Sequence, residues 1–190
     1  CNGVRCKIVE GDELLELEPH VAGMRAIHVP ETGIVDFKQV AVQLATLIQD
    51  RGGSINTATA ALKIRQGKDE TIIRTNRGEM AGKTIVNCAG LHSDRITKMG
   101  GIQPSARIVP FRGEYYQIRS EKIHLCRNLI YPVPDPKFPF LGVHFTRRID
   151  GTVECGPNAV LAFAREGYSM TRVNLQDLVG SLSYPGQRPG

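Results

Sequence analysis

Several common sequence signals are absent from this chain. No pair of its five cysteines is spaced C-x-x-C, so zinc-ribbon and thioredoxin-type sites fail on spacing. No apolar run approaches the roughly 18 residues that a membrane-spanning helix needs, and no cleavable signal pattern opens the chain. Lys and Arg are dispersed rather than clustered, so a nucleic-acid surface is not indicated despite the net charge of +5. The excess of positive charge suits a dianionic small-molecule substrate, but a sum of charges does not identify one.

The composition that is present is that of an ordinary globular protein. The chain has 190 residues, of which 41% are hydrophobic and 23% charged, which suits one domain or one and a half. With this much apolar content a disulfide framework is not expected, and the odd number of cysteines favours reduced thiols. We therefore expect a cytosolic or organelle-matrix setting, with peripheral membrane association left open. Cys88 is interpreted as a small core residue.

The clearest helix is predicted over residues 34–50, where apolar residues recur at helical spacing on one face. Asp36 is a candidate N-cap, and Gln39 three residues later completes a capping-box pattern. Gly52-Gly53 is expected to end the helix, since glycine adopts positive φ without strain.

Extended segments follow this helix. Residues 59–66 and 71–75 are predicted strands joined by a turn at 67–69, and a second turn at 76–78 leads to a predicted buried strand over 84–88. Two small residues, Ala89 and Gly90, come directly after this strand and before a short helical pattern. Such a junction is typical of an α/β domain that brings its backbone close to a cofactor.

The pattern changes after Gly100-Gly101. Six prolines between residues 104 and 139 divide the chain into short extended pieces, and no long amphipathic helix appears before Met170. This indicates an antiparallel sheet domain. We predict a domain boundary near Gly100, which gives an α/β first block at 1–100 and an antiparallel block at 101–190.

Three strings carry a resemblance to a known family: residues 85–94 (IVNCAGLHSD), 110–115 (PFRGEY) and 140–147 (FLGVHFTR). Together they resemble the flavin-dependent hydroxy-acid and amino-acid oxidoreductases of the D-amino-acid-oxidase superfamily. Within it they are most similar to the branch that oxidises (S)-2-hydroxyglutarate to 2-oxoglutarate. The resemblance implies an α/β (α+β) fold, in which a partial Rossmann-like FAD-binding domain precedes an antiparallel-sheet substrate domain.

The resemblance also implies a set of cofactor contacts. Ala61 occupies the position at which relatives meet the adenine of FAD through their backbone. Cys88, Ala89 and Gly90 match the small residues that run beside the dinucleotide. His92 stands where many relatives carry an aromatic residue, so ring contact with the flavin is not expected from it. The alternative for Ala89-Gly90 is a plain turn at the start of a helix.

His144 is the candidate catalytic base. On a strand, Gly142, His144 and Thr146 share one face, and an apolar trio on the other face should pack against a core. Its imidazole would then accept the hydroxyl proton of a 2-hydroxy acid while the hydride passes to flavin N5. The alternative is a solvated or structurally hydrogen-bonded histidine.

Arg112 and Tyr131 are the candidate substrate-binding residues. A guanidinium recognises a carboxylate through two parallel hydrogen bonds, and 2-hydroxyglutarate has two carboxylates. A phenol donates one hydrogen bond to a carboxylate. The alternatives are a surface arginine or an ion pair with Glu114, and a tyrosine packed at the rim of a sheet. Arg147 and Arg148 are weaker candidates.

One family motif is missing from the sequence. No G-x-G-x-x-G loop, which holds the pyrophosphate of FAD at a helix N-terminus, occurs between Cys1 and Gly190. We therefore expect an internal segment of a longer oxidoreductase. Two alternatives stay open: an amino-acid oxidase of the glycine- or sarcosine-oxidase type, and a catalytically inactive fragment. The electron acceptor, oxygen or a quinone, is also open.

Overall fold

The chain is divided into two compact units, each built from two separate segments. The computed structural model describes residues 3–133 and 142–183. Unit 1 comprises Cys1–Arg51 and Gly113–Val160, and unit 2 comprises Gly52–Arg112 and Leu161–Gly190. These limits do not coincide with a single boundary near Gly100, and the division into domains at 1–100 and 101–190 stays a prediction.

The first elements of unit 1 form a small hairpin around a helix. Strands β1 (Lys7–Glu10) and β2 (Arg25–His28) pair antiparallel, and helix α1 (Gly11–Leu17) connects them. Val9 and Leu14 are buried and form the local core. The sequence patterns above did not predict these three elements.

Helix α2 (Phe37–Asp50) confirms the clearest sequence prediction. The carboxylate of Asp36 accepts hydrogen bonds from the backbone N–H groups of Lys38 at 2.9 Å and Gln39 at 3.3 Å. Because the first N–H groups of a helix have no partner within it, this cap stabilises the N-terminus. Gly52 follows with a φ of +79° and ends the helix.

Unit 2 begins with a three-stranded antiparallel meander, β3 (Ala61–Gln66), β4 (Thr71–Thr75) and β5 (Gly78–Gly82), in the order β3-β4-β5. The predicted strands and turns at 59–78 are confirmed. Strand β5 was not predicted from the sequence. Gly67 closes the first turn by donating its N–H to the carbonyl of Glu70 at 2.8 Å. A Cβ at Gly67 would lie 2.7 Å from that oxygen, so the turn requires glycine.

The predicted buried strand over 84–88 is wrong. These residues form no strand, and Val86 is 78% exposed. An extended segment becomes a strand only when a neighbour pairs with its backbone groups, and no described residue does so here. Cys88 is exposed as well, so its interpretation as a core residue is also wrong. The helical turn Gly90–His92 and helix α3 (Ser93–Met99) then follow as the sequence predicts.

Most residues of a second sheet belong to the second segment of unit 1. Strands β6 (Phe111–Gln117), β7 (His144–Arg147) and β8 (Val153–Leu161) have the order β6-β8-β7, and β7 pairs antiparallel with β8. Val153 is completely buried. This sheet confirms the antiparallel architecture that the prolines indicate.

Helix α4 (Leu175–Leu182) is the last element of unit 2. Its N-cap is Asn174, whose side-chain oxygen accepts from the N–H of Asp177 at 3.1 Å. Within residues 3–133 and 142–183, no helix has the length and apolar character needed to cross a membrane.

Candidate functional site

The first cluster of interest, in unit 1, is built by a short pairing beside β7. Ile130 and Phe145 exchange two backbone hydrogen bonds, of 3.0 and 2.9 Å. This bridge fixes the residues that adjoin each partner, Tyr131 and His144, next to one another. Two of the predicted site residues therefore meet, although they are 13 positions apart in the chain.

The imidazole of His144 lies among aromatic rings and is only 8% exposed. The ring of Tyr131 stacks on it with centroids 4.6 Å apart and planes 21° apart. The ring of Tyr115 approaches edge-on, with centroids 6.3 Å apart and planes at 77°. Both geometries are favourable for π systems, so the two tyrosines hold the imidazole in one orientation. The predicted apolar face comprised Leu141, Val143 and Phe145. It is wrong at Val143, which is 55% exposed, while Phe145 is half-buried and Leu141 lies outside the described residues.

A hydrogen bond sets the tautomer of this imidazole. The Nδ1 atom of His144 lies 3.1 Å from the carbonyl oxygen of Gly142. A carbonyl can only accept, so Nδ1 carries the proton and Nε2 of the neutral ring is the basic nitrogen. Among the described residues no hydrogen bond engages Nε2. The arrangement therefore provides an oriented base.

Gly156 makes room for the edge-on tyrosine. It lies directly opposite His144 in the β7–β8 register. A Cβ at Gly156 would be 2.8 Å from Cδ1 of Tyr115 and 2.8 Å from the carbonyl oxygen of Glu114. Any other residue would push Tyr115 away, so glycine at this position preserves the aromatic enclosure of His144.

Arg112 belongs to unit 2, and its guanidinium is anchored there. Its Nη1 donates to the carbonyl oxygen of Gly167 at 3.2 Å, and the side chain is half-buried. Gly167 sits in a tight turn, where a Cβ would lie 2.8 Å from the carbonyl oxygen of Ala164. The weaker candidates Arg147 and Arg148 are engaged elsewhere: Arg147 donates to the carbonyl of Cys126 at 2.9 Å, and Arg148 donates to Glu154 at 2.7 Å.

The predicted cofactor residues also lie in unit 2. Ala61 opens β3, an edge strand of the meander, and is half-buried. Cys88, Ala89 and Gly90 are exposed, and Gly90 has a φ of +51°. A Cβ at Gly90 would meet nothing within 4 Å, so the backbone of this turn is open on that side.

Asn87 holds the start of the turn. Its amide nitrogen donates to the carbonyl oxygen of Ser93 at 2.8 Å and to the hydroxyl of Thr97 at 3.0 Å. Its amide oxygen accepts from the N–H of Ala89 at 3.2 Å. One side chain thus ties the turn to the first part of α3.

A buried charge network holds the end of the same turn, and the sequence patterns missed it. Arg165 is 8% exposed and donates to the carbonyl oxygen of Leu91 and to both carboxylate oxygens of Asp94, one of them at 2.7 Å. Asp177 accepts from the N–H of Arg165 at 2.8 Å and pairs with Arg95. Neither periodicity nor a motif marks these residues.

Hydrogen bonding changes the acidity of both aspartates. The hydrogen bond from Arg165 lowers the pKa of Asp94 from 3.8 to about 2, against the opposing effect of burial. Burial raises the pKa of Asp177, but its bonds from the Arg165 N–H and from Arg95 outweigh burial and lower the pKa overall. Both carboxylates are therefore ionised under all ordinary conditions.

An open cleft of about 360 Å³ adjoins this network. Three arginines line it, but Arg95 and Arg165 are paired with the aspartates, and Arg172 lies 3.9 Å from the carboxylate of Glu166. Because the positive charges are largely compensated, the cleft does not present a free cationic surface.

Comparisons with a family model and with known proteins agree on one family. A sequence model of the family described as FAD dependent oxidoreductase (DAO) matches residues 1–182. The chain is 51% identical over 176 residues to an L-2-hydroxyglutarate dehydrogenase of Indibacter alkaliphilus, covering 92% of this chain and 44% of that protein. It is 45% identical over 193 residues to the mitochondrial L-2-hydroxyglutarate dehydrogenase of Caenorhabditis elegans, covering 98% and 45%.

A solved structure confirms the fold class. The crystal structure of L-proline dehydrogenase from P. horikoshii is similar with a TM-score of 0.70 at 17% identity, over 95% of this chain and 47% of that one. The predicted combination of a partial Rossmann-like domain and an antiparallel sheet is thus confirmed. The chain spans less than half the length of the relatives that it matches.

Proposed function

Because the chain belongs to the DAO family of FAD dependent oxidoreductases, we propose that the full-length protein oxidises L-2-hydroxyglutarate, the (S) enantiomer, to 2-oxoglutarate. The observation that carries this proposal is the 51% identity over 92% of the chain with an L-2-hydroxyglutarate dehydrogenase. An alignment over 92% of the chain spans both the turn at 88–90 and the strand that bears His144.

The residues of unit 2 fit FAD. The side chains at Cys88, Ala89 and Gly90 are small and exposed, and no atom would meet a Cβ at Gly90 within 4 Å. A dinucleotide can therefore approach this backbone closely. Ala61 lies on an edge strand, where alternate backbone groups lack a strand partner and can bind an adenine. When bound, FAD supplies the hydride acceptor.

Arg112 and Tyr131 are proposed to bind the substrate. The guanidinium of Arg112 is held by Gly167 at 3.2 Å, which orients its planar fork for a carboxylate. Tyr131 is 56% exposed although its ring stacks on His144, so its phenol can donate to a ligand.

His144 is proposed to take the proton of the substrate hydroxyl. The Nδ1 proton is donated to the carbonyl oxygen of Gly142, so Nε2 is the nitrogen that accepts the hydroxyl proton. The O–H electrons form the C2=O bond, and the C2–H bond breaks with its electron pair leaving as hydride. Charge and atoms balance: one proton stays on His144 and two electrons leave with the hydride. Tyr115 and Tyr131 keep the imidazole in place, so no reorientation is needed.

We place the protein in the cytoplasm or in an organelle matrix, because curated relatives include bacterial proteins and mitochondrial ones. Peripheral membrane association would follow if a membrane quinone reoxidises the flavin, and would not be needed if oxygen does. Comparing reoxidation rates with dissolved oxygen and with a short-chain quinone assigns the acceptor.

Anaerobic flavin reduction tests the proposed reaction. The full-length, flavin-loaded protein is mixed with L-2-hydroxyglutarate, and bleaching of the visible flavin absorbance is followed. We expect rapid, complete bleaching, with 2-oxoglutarate formed in equal amount. The D enantiomer, glycine and sarcosine are the controls and should bleach the flavin at least a hundredfold more slowly, because a site built to hydrogen-bond a substrate group discriminates by about 10⁴ or more against analogues that lack it. Faster bleaching by glycine or sarcosine would instead establish an amino-acid oxidase.

A further inference from the structure

Arg165 is separated by 71 and 74 residues from the groups that its guanidinium binds. Its Nη1 donates to the carbonyl oxygen of Leu91 and to Asp94, and its Nη2 donates to the second oxygen of Asp94 at 2.7 Å. Its Nε faces Asp177 at 3.8 Å. All the nitrogens of the guanidinium therefore face either residues 91–94 or Asp177 of α4.

Stability alone is a weak explanation for this network. Moving two charges out of water costs several kcal/mol each, and their attraction often does no more than offset that cost. What the network does specify is geometry, since a planar fork bound at three acceptors fixes their relative positions. The acceptor outside the ion pair is the carbonyl of Leu91, which adjoins Gly90.

The turn at 88–90 has few other restraints. Its side chains are small and exposed, so side-chain packing does not hold it. Asn87 restrains the start of the turn through the N–H of Ala89, and Arg165 restrains its end through Leu91. Asp94 and Arg95 tie the first turn of α3 to the 165–177 region on both sides.

We propose that Arg165 is a positioning residue for the cofactor: it holds the Cys88–Leu91 backbone in the conformation that binds FAD. This inference rests on the proposed function, since it takes residues 88–90 as FAD contacts. Arg165 itself need not touch the flavin. It acts through the carbonyl of Leu91 and the carboxylate of Asp94.

The test is the FAD affinity of the full-length protein after Arg165→Lys. A lysine keeps one positive charge beside Asp94 but lacks the fork that also binds Leu91. We expect the Kd for FAD, measured by equilibrium dialysis of the deflavinated protein, to rise about tenfold or more. The KM for L-2-hydroxyglutarate at saturating FAD should stay within about twofold. A merely structural arginine would not produce this split.

Arg107→Lys is the matched control. Arg107 also lies in unit 2 and also donates to a backbone carbonyl, that of Gly180 at 2.9 Å, and it makes no bond to residues 88–94. Its variant should retain the wild-type Kd for FAD. All affinities are measured at a temperature at which far-UV circular dichroism shows each variant to be folded, which removes global unfolding from the comparison.

The outcomes separate this inference from the proposed function. If wild type binds FAD and oxidises L-2-hydroxyglutarate, but Arg165→Lys binds FAD as tightly as Arg107→Lys does, the positioning role is wrong and the proposed function stands. If Arg165→Lys does not fold, Asp94→Asn decides by the same criterion, because it removes the charged partner and retains Arg165. A wild-type protein that binds no FAD overturns both.

Discussion

At the scale of single residues, His144 combines three properties that a base needs. It is enclosed by two tyrosine rings, its tautomer is set by the carbonyl of Gly142, and Nε2 accepts no hydrogen bond from the described residues. The sequence pointed to His144 through the family resemblance of residues 140–147, and the predicted apolar face of its strand was partly wrong. The orientation and enclosure of the imidazole come from tertiary contacts, which the sequence did not predict.

His144→Gln should separate a catalytic from a structural histidine. Glutamine keeps a hydrogen-bonding side chain but cannot accept the proton, and loss of a general base typically costs about 10² to 10⁴ in rate. Anaerobic stopped-flow reduction of the full-length protein should slow by that order. His124→Gln, on an exposed histidine of the same unit, is the control. Reduction within about threefold of wild type removes His144 from the mechanism.

Arg112→Lys should affect substrate recognition. An ammonium keeps the charge but loses the planar fork, so the KM for L-2-hydroxyglutarate should rise with a smaller change in kcat. Steady-state kinetics of the full-length protein measure this. Arg148→Lys, whose pairing with Glu154 is largely exposed, should leave both constants unchanged. If KM and kcat of Arg112→Lys both stay within about twofold, roughly 0.4 kcal/mol, Arg112 is structural.

At the scale of elements, α2 shows how far a local pattern reaches. Its N-cap, its last residue and the glycine that follows it depend on adjacent residues, and all three were predicted from sequence; the predicted range of 34–50 began three residues before the observed start at Phe37. Its apolar face was predicted as well, yet no residue of α2 is buried and Phe37 is 79% exposed. Among the described residues no element covers this face.

Removing the cap of α2 should destabilise unit 1. Asp36→Ala leaves the N–H groups of Lys38 and Gln39 without their acceptor, and such a change costs about 1 kcal/mol. Urea unfolding of the purified chain, followed by circular dichroism, measures the loss. Gln43→Ala, an exposed change within the same helix, should lie within about 0.5 kcal/mol of wild type. Equal effects of the two changes would mean that the cap contributes nothing.

The segment at 84–88 shows the opposite case. Its composition favours a buried strand, but a strand forms only beside a pairing partner, and the local sequence does not predict that partner. The structure leaves it unpaired, with Val86 and Cys88 exposed. The turn and α3 directly after it form nevertheless, because Asn87 and the network of Arg165 hold them.

At the scale of the whole molecule, the ionisation of Asp94 should be visible in the stability of the chain at acid pH. Its pKa is about 2 when folded and about 4 when unfolded, so the folded state is stabilised wherever the carboxylate is ionised. This contribution, roughly 2 kcal/mol, is complete above pH ~4 and is lost as the pH falls toward 2. The hydrogen bond from Arg165 is the largest cause of the lowered pKa of Asp94.

The difference in unfolding free energy between wild type and Asp94→Asn isolates this contribution, because other carboxylates titrate in both proteins. Urea unfolding between pH ~2 and ~6 should show that the wild-type advantage shrinks as acid is added. Asp12→Asn, on an exposed residue of α1, should give a curve parallel to wild type. A pH-independent difference for Asp94→Asn would contradict the assigned ion pair.

The 190-residue chain by itself should bind FAD weakly. It lacks a G-x-G-x-x-G loop, so backbone N–H groups that would hold the pyrophosphate are missing from its contacts. The purified chain should be colourless, and fluorescence titration with FAD should not saturate at micromolar concentrations. A yellow preparation with stoichiometric flavin would show that Ala61 and the Cys88–Gly90 turn suffice.

The sequence by itself determined α2 with its cap, the β3–β4 hairpin and the family strings. These depend on residues within a few positions of each other, where helical periodicity, capping and turn chemistry act. The tertiary structure decided the enclosure of His144 by Tyr115 and Tyr131, and the commitment of Arg165 to Leu91 and Asp94. Contacts across tens of residues leave no local period in the sequence, because they arise only when strands pair and charged groups leave water together.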